Sequence, residues 1–182
     1  MKYVLIHGTL WNPNENWFPW LKQHLEEQWH KVFVPHFPTP ENQTIKAWCE
    51  VLRKEASFEF DQDTVIIGHS LWALYILHIL NSQRKNPIHH AVLISGFSSK
   101  LGNETFDTLN QDFLTDSFDR SLIKQNANRI TLFHGTNDPY VPIEQAKILE
   151  EKLDAELYPI EHWWHLNEAA WYREFPKLLE VL

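Results

Sequence analysis

Glycine is scarce in this chain, with 5 in 182 residues, where a usual content of about 7% would give roughly a dozen. Cysteine occurs once, at Cys49, which excludes an internal disulfide and a multi-thiolate zinc site. The surrounding KAWCEVL reads as helix, so this thiol is expected to serve packing. Basic residues are outnumbered, 16 Lys and Arg against 24 Asp and Glu, for a formal charge of −8. That balance opposes binding to nucleic acid or to an anionic membrane surface. The longest mainly apolar stretch, 71–80, is about half of what spans a bilayer. A strand beginning in KYVLIH at 2–7 leaves no room for a signal peptide, and a cytoplasmic location is expected. Small neutral or cationic molecules are the easier partners, and a protein partner stays open.

What is present suits one packed domain over 1–182: apolar residues make up 43% and aromatic residues 14%. Short runs rich in Val, Ile and Leu recur at 3–6, 32–34, 64–67, 91–94, 130–133 and 156–160. Helical patterns separate them at 17–28, 44–56, 71–83, near 119–126 and at 143–153, and a last one covers 168–182. This alternation predicts an α/β fold with a doubly wound, mainly parallel sheet of about six strands and helices on both faces. The segment 96–118 lacks clear periodicity and follows the fourth strand, where such sheets place ligands. A small cap there, with little or no lid otherwise, is the expectation.

Acyl transfer by a serine needs an exposed hydroxyl, a histidine to take its proton, a carboxylate to orient the histidine, and N–H groups aimed at the oxyanion. Ser70, in VIIGHSLWALYILHIL, follows a strand and opens an apolar helix. Asp138, in FHGTNDPYVP, follows the fifth strand in a loop, with Pro142 read as the start of the next helix. His165, in IEHWWHLNE, follows the last strand. All three come from one rim of the sheet in the order Ser, Asp, His. The N–H of Leu71 and one near Thr9 are the expected oxyanion donors. His7, Gly8, His69, Trp72 and Trp164 are expected to contact substrate. Each residue also has a plain reading: serine caps helices, aspartate makes turns, and His162 with His165 has the spacing of a metal pair. No carboxylate or cysteine cluster near His162 completes a metal site. It is the joint arrangement, with an HG turn after the first strand, that points to a serine hydrolase.

IHG at 6–8, NWFPWL at 16–21, GHSL at 68–71, LISGF at 93–97, FLTDSFD at 113–119, NDPYVP at 137–142 and His165 together resemble the small, nearly lidless serine hydrolases of the YdeN and retinoblastoma-binding-protein group. The resemblance covers almost the whole chain. It implies a minimal α/β-hydrolase fold, a triad of Ser70, Asp138 and His165, a small acyl-containing substrate with an ester or amide-like bond, and no metal or organic cofactor.

The chain departs from that pattern in its tryptophans, of which there are 9. The group usually has a small residue at position 72 and typically glycine just before the triad histidine, where Trp72, Trp163 and Trp164 stand. Trp29 occupies a helix-ending position that commonly needs a left-handed backbone, and small residues are also expected at Trp11 and Trp171. Exchanging these six for glycine would raise the five glycines to eleven and leave three tryptophans, both ordinary counts. Two explanations stand at this point. Either the tryptophans form an aromatic wall that fills the site and leaves a silent fold that binds a protein or ligand, or these are glycine positions whose UGA codons were read as Trp. On either explanation Trp72 is expected to push the start of its helix outward.

Overall fold

The computed structural model describes residues 1–55, 60–82, 86–114 and 118–182. Ala56 and Gln83, the expected ends of two helices, and residues 115–117 of the non-periodic segment lie outside the described residues. The six strands are β1 (Lys2–Ile6), β2 (Lys31–Phe33), β3 (Thr64–His69), β4 (His90–Ile94), β5 (Ile130–Gly135) and β6 (Glu156–Ile160). They form one all-parallel sheet in the order β2-β1-β3-β4-β5-β6. The chain steps from β1 outward to β2 and then back across to β3. That reversal opens a crevice between the C-terminal ends of β1 and β3, the usual ligand position in such sheets.

Period-two alternation splits the strand residues between two apolar layers. Val4, Ile6, Ile66, Ala91, Leu93 and Leu132 face a layer that includes α2 (Ile45–Glu55) and α3 (Leu71–Leu80). Leu149 and Leu153 bring α6 (Ile143–Leu153) to the same side. Tyr3, Leu5, Val65, Ile67, Val92, Ile94 and Phe133 face the other layer, with α1 (Phe18–Glu27) and the C-terminal segment. Nine of the ten residues of α3 are buried, as its almost unbroken apolar sequence requires. Gly68 permits the close approach of that helix: a Cβ there would sit 2.8 Å from the Trp72 carbonyl oxygen.

Strands β3 and β5 run two residues past their expected ends, so His69 and Gly135 are still in the sheet. Pro142 stands at the N-cap of α6 rather than inside it. The non-periodic segment contributes a short helix, α4 (Glu104–Leu109), capped by Asn103 Oδ1, which accepts from Phe106 N–H, and α5 (Arg120–Gln125) follows it. The last expected helix is broken. A 3-10 turn at Glu168–Ala170 ends at Trp171, whose φ is +61°, and α7 is only Pro176–Leu179. Proline disfavours helical backbone in the residue before it and lacks an N–H, so the helix restarts at Pro176. Among the described residues no helix is long and apolar enough to cross a membrane.

Candidate active site

Ser70 joins β3 to α3 with φ +61° and ψ −123°, a sparsely populated conformation that persists only where its surroundings enforce it. Its N–H donates to Ile94 O of the neighbouring strand at 2.7 Å, which holds the turn against the sheet. The serine hydroxyl does not cap α3, so the helix does not consume it. Leu71 is the first residue of α3, and its N–H has no carbonyl partner among the described residues; the same holds for Thr9 N–H in the turn after β1.

Asp138 lies in the loop after β5 with its side chain fully enclosed. Its Oδ1 accepts from the N–H groups of Tyr140 and Val141 at 2.9 and 3.0 Å. The other oxygen, Oδ2, accepts from His165 Nδ1 at 2.6 Å. Aspartate therefore makes its turn and orients the histidine at once. With Nδ1 carrying the proton, His165 Nε2 is left as a bare acceptor. Ser70 and His165 are not hydrogen-bonded to each other among the described residues, and both open on one cavity of about 280 Å³. Such contacts are often loose before substrate binds.

The loop that carries His165 is contorted, with positive φ at His162, Trp164 and Leu166. Contacts from distant parts of the chain hold it. His69 Nε2–H donates to His165 O at 2.7 Å, and the Ser95 hydroxyl approaches the same oxygen at 3.3 Å. Trp17 Nε1–H donates to Leu166 O, and Asn137 Oδ1 accepts from Trp164 N–H, each at 3.0 Å. Burial pushes the His69 pKa well below its ordinary value, with the nearby His165 adding to the effect, so His69 is a neutral donor. His134, also lowered by burial, donates from Nε2 to Val141 O at 2.8 Å and so braces the Asp138 loop from β5.

Of the other expected site residues, Gly8 and Thr9 line the cavity with Ser70 and His165. His7 does not reach it. The His7 ring is fully buried, donating from Nδ1 to Gly8 O and accepting at Nε2 from Phe37 N–H, both at 3.1 Å. Burial pushes its pKa down to about 4. His69 sits beneath the histidine loop, not at the cavity wall, and Trp164 is exposed beside it. Trp72 is fully buried on the far side of the elbow, with its ring stacked on Trp48 at a centroid separation of 3.2 Å and its Nε1–H unpartnered. Trp72 is the second residue of α3, which begins at Leu71. Trp11 lies over His69 at 4.5 Å between ring centroids and lines the cavity.

Phe97, Leu101, Phe106, Asn110, Tyr140 and Val141, with Leu10, Asn167 and Ala169, form the rest of the wall and were not anticipated individually. For Phe97, Leu101, Phe106 and Asn110 the signal was the absence of periodicity in 96–118, which marks the segment without ranking its residues, whereas Tyr140 and Val141 lie in the Asp138 loop. His162 is exposed, and no group of three His, Cys, Asp or Glu side chains able to hold a metal occurs among the described residues.

The chain matches the serine hydrolase family over residues 3–182. It is 28% identical to the hydrolase YdeN of Bacillus subtilis (strain 168) over 179 residues, covering 98% of this chain and 92% of that protein. It is 25% identical to the serine hydrolase RBBP9 of Rattus norvegicus over 167 residues, covering 91% and 84%. The crystal structure of the B. subtilis ydeN product superposes with a TM-score of 0.90 at 26% identity, covering 99% of this chain and 95% of the other. An all-parallel six-stranded sheet that matches that structure, together with a family match spanning nearly every residue, establishes that this chain belongs to the serine hydrolase family and has the α/β-hydrolase fold.

Proposed function

We propose that the protein hydrolyses carboxylic ester bonds of small substrates through an acyl-enzyme intermediate, with Ser70 as nucleophile, His165 as general base and Asp138 as its orienting carboxylate. The observation that carries this reading is the 2.6 Å hydrogen bond from His165 Nδ1 to Asp138 Oδ2, which turns a bare Nε2 toward the cavity that Ser70 shares. Ser70 Oγ attacks the ester carbonyl carbon as its proton passes to His165 Nε2. The tetrahedral oxyanion is met by the N–H groups of Leu71 and Thr9. Collapse breaks the bond to the alkoxy oxygen, which leaves as the alcohol with the proton from His165. Water then repeats the sequence on the acyl-serine, releasing the carboxylic acid and returning the proton to Ser70.

The left-handed turn at Ser70 supports the assignment, because it frees the hydroxyl from the helix that a capping serine would serve. The position of Trp72 supports activity over a silent fold, since the buried indole lies outside the cavity wall and does not fill the space that Ser70 and His165 share. Labelling with a broad serine-reactive phosphonate tests the proposal. One equivalent is expected on the full chain and none on Ser70→Ala, with both proteins giving the same circular dichroism. Labelling that survives in a folded Ser70→Ala variant would refute the nucleophile assignment.

A further inference from the structure

Phe97, Leu101, Phe106 and Val141 make an apolar stretch of the cavity wall, and two amides stand beside it: Asn167, whose buried Oδ1 has no hydrogen-bond partner among the described residues, and Asn110, at the end of α4, which is 4% exposed. A chain of hydrogen bonds determines which way the Asn110 amide points. Gln43 Nε2 donates to the Leu109 carbonyl at 3.1 Å, and a carbonyl can only accept, so the nitrogen of Gln43 is identified without ambiguity. The same Nε2 donates to Asn110 at 2.8 Å, so the Asn110 atom facing it is the oxygen. At the other end of Gln43, Oε1 accepts from the Thr39 hydroxyl at 2.6 Å, and that hydroxyl accepts from Leu10 N–H at 2.9 Å. Every donor and acceptor in this relay is used except the Nδ2 group of Asn110. It makes no hydrogen bond among the described residues.

A buried amide with its oxygen pinned and both of its N–H donors unspent, set among Phe97, Leu101, Phe106 and Val141, is a recognition element. We propose that Asn110 is a specificity-determining residue that donates to a second oxygen of the substrate, apart from the scissile ester. The favoured acyl group would then be a short chain carrying a ketone, ether or hydroxyl oxygen, in preference to a plain alkyl chain. The inference rests on the esterase reading for its reaction. The relay begins at Leu10, next to the oxyanion donor Thr9, so the element that reads the acyl group is tied to the loop that polarises the carbonyl.

The test uses the full chain with p-nitrophenyl hexanoate and its 4-oxo and 5-oxo analogues, each rate divided by the ester's own hydroxide-catalysed rate. The parent protein is expected to prefer at least one oxo ester in kcat/KM by about tenfold, the size of one net hydrogen bond. Asn110→Leu, and Asn110→Asp, which offers only acceptors, are expected to lose that preference. Gln43→Leu is expected to weaken it by letting the amide turn. A fall of all three esters by the same factor in the Asn110 variants, as a purely structural role demands, overturns the proposal. So does an unchanged preference. The corresponding anilides, titrated calorimetrically into Ser70→Ala, read the same contact without turnover. Tighter binding of an oxo anilide, lost in the Ser70→Ala, Asn110→Leu double variant, supports the proposal even if no ester is cleaved, in which case only the esterase reading fails. Equal binding of the three anilides overturns it even if every ester is cleaved.

Discussion

Replacing Trp29 and Trp171 by glycine is expected to stabilise the protein, although both changes delete the largest side chain. Trp29 follows α1 with φ +64°. Its N–H donates to Glu26 O at 2.9 Å, and the next N–H, of His30, reaches back to Leu25 O at 3.1 Å. This pair of bonds defines the Schellman ending, whose left-handed residue is usually glycine. Trp171 repeats the pattern at φ +61°, its N–H donating to Glu168 O at 2.8 Å and that of Tyr172 to Asn167 O at 3.0 Å. An L side chain in this conformation costs roughly 1–2 kcal/mol, and the extra freedom of glycine in the unfolded chain returns about 0.5–1 kcal/mol of that. Little burial is lost, because the two residues are 95% and 79% exposed. Arg173 lies 5.8 Å from the Trp171 ring, and an exposed cation–π contact of about 0.5 kcal/mol offsets part of the second gain. The net expectation is about 1 kcal/mol at position 29 and about half that at 171. Together they amount to a rise of roughly 3–6 °C in Tm for a chain of this size. Thermal melts of Trp29→Gly, Trp171→Gly and the double variant measure this, with Trp29→Ala as the control. Alanine keeps the Cβ and should give no gain. If alanine stabilises as much as glycine, or if neither glycine variant raises Tm, backbone strain is not the cause.

Trp72→Gly is expected to cost well under the roughly 3–5 kcal/mol typical of deleting a buried aromatic, because it also removes an unpartnered buried Nε1–H and an unfavourable face-to-face sandwich with Trp48. A urea midpoint showing the full loss would mean that the indole is well packed. Stability should fall on acidification: burial holds His7 and His90 at about 4 against an ordinary 6.5. The unfolded chain therefore takes up these protons first. Each residue's contribution, roughly 3 kcal/mol, is fully present above about pH 6.5 and lost as pH falls toward 4. Unfolding free energies at pH 7.5 and pH 5 that are equal, or higher at pH 5, would contradict this. His165→Ala should lower kcat by roughly a thousandfold or more on any hydrolysed ester, whereas the exposed His162→Ala should be mild, and the reverse ranking would move the base. In the gene, TGA at codons 11, 29, 72, 163, 164 and 171 with TGG at 17, 20 and 48 is expected if the six are glycine positions, and TGG at all nine would end that explanation.

The strands could be located from the sequence because β-branched runs spaced by amphipathic segments leave few alternatives to a parallel sheet. The rim residues followed, since Ser70, Asp138 and His165 each sit just past a strand. The second layer of the site could not be read in the same way. Trp17 meets Leu166 across 149 positions, and His69 and Ser95 both reach the His165 carbonyl. Pairings of that kind depend on loop geometry and leave no periodic trace. Asn110 was hidden for a related reason, because its role depends on Gln43 lying 67 positions away, within a segment that has no pattern of its own.

The six tryptophans show how two distinct physical demands can leave one signature in composition. At positions 29, 164 and 171 the demand is conformational, because each has positive φ. Trp164 adds a steric side to it: its carbonyl oxygen lies 1.8 Å from where a Cβ on Gly135 would stand, so the two backbones touch. At positions 11 and 72 φ is ordinary and the demand is for space. The Trp11 ring comes within 2.8 Å of a Cβ built on Gly8, and Trp72 is forced flat against Trp48. Trp163 shows neither feature and packs edge-on against Tyr172. An aromatic wall selected for function would gather its rings around the cavity, yet of these six only Trp11 lines it, while Trp29 projects almost wholly into solvent. Apart from Trp163, these unrelated environments share little but a demand for a small or glycine residue, which favours a cause acting on codons over a function acting on the site, and the codons themselves decide between the two.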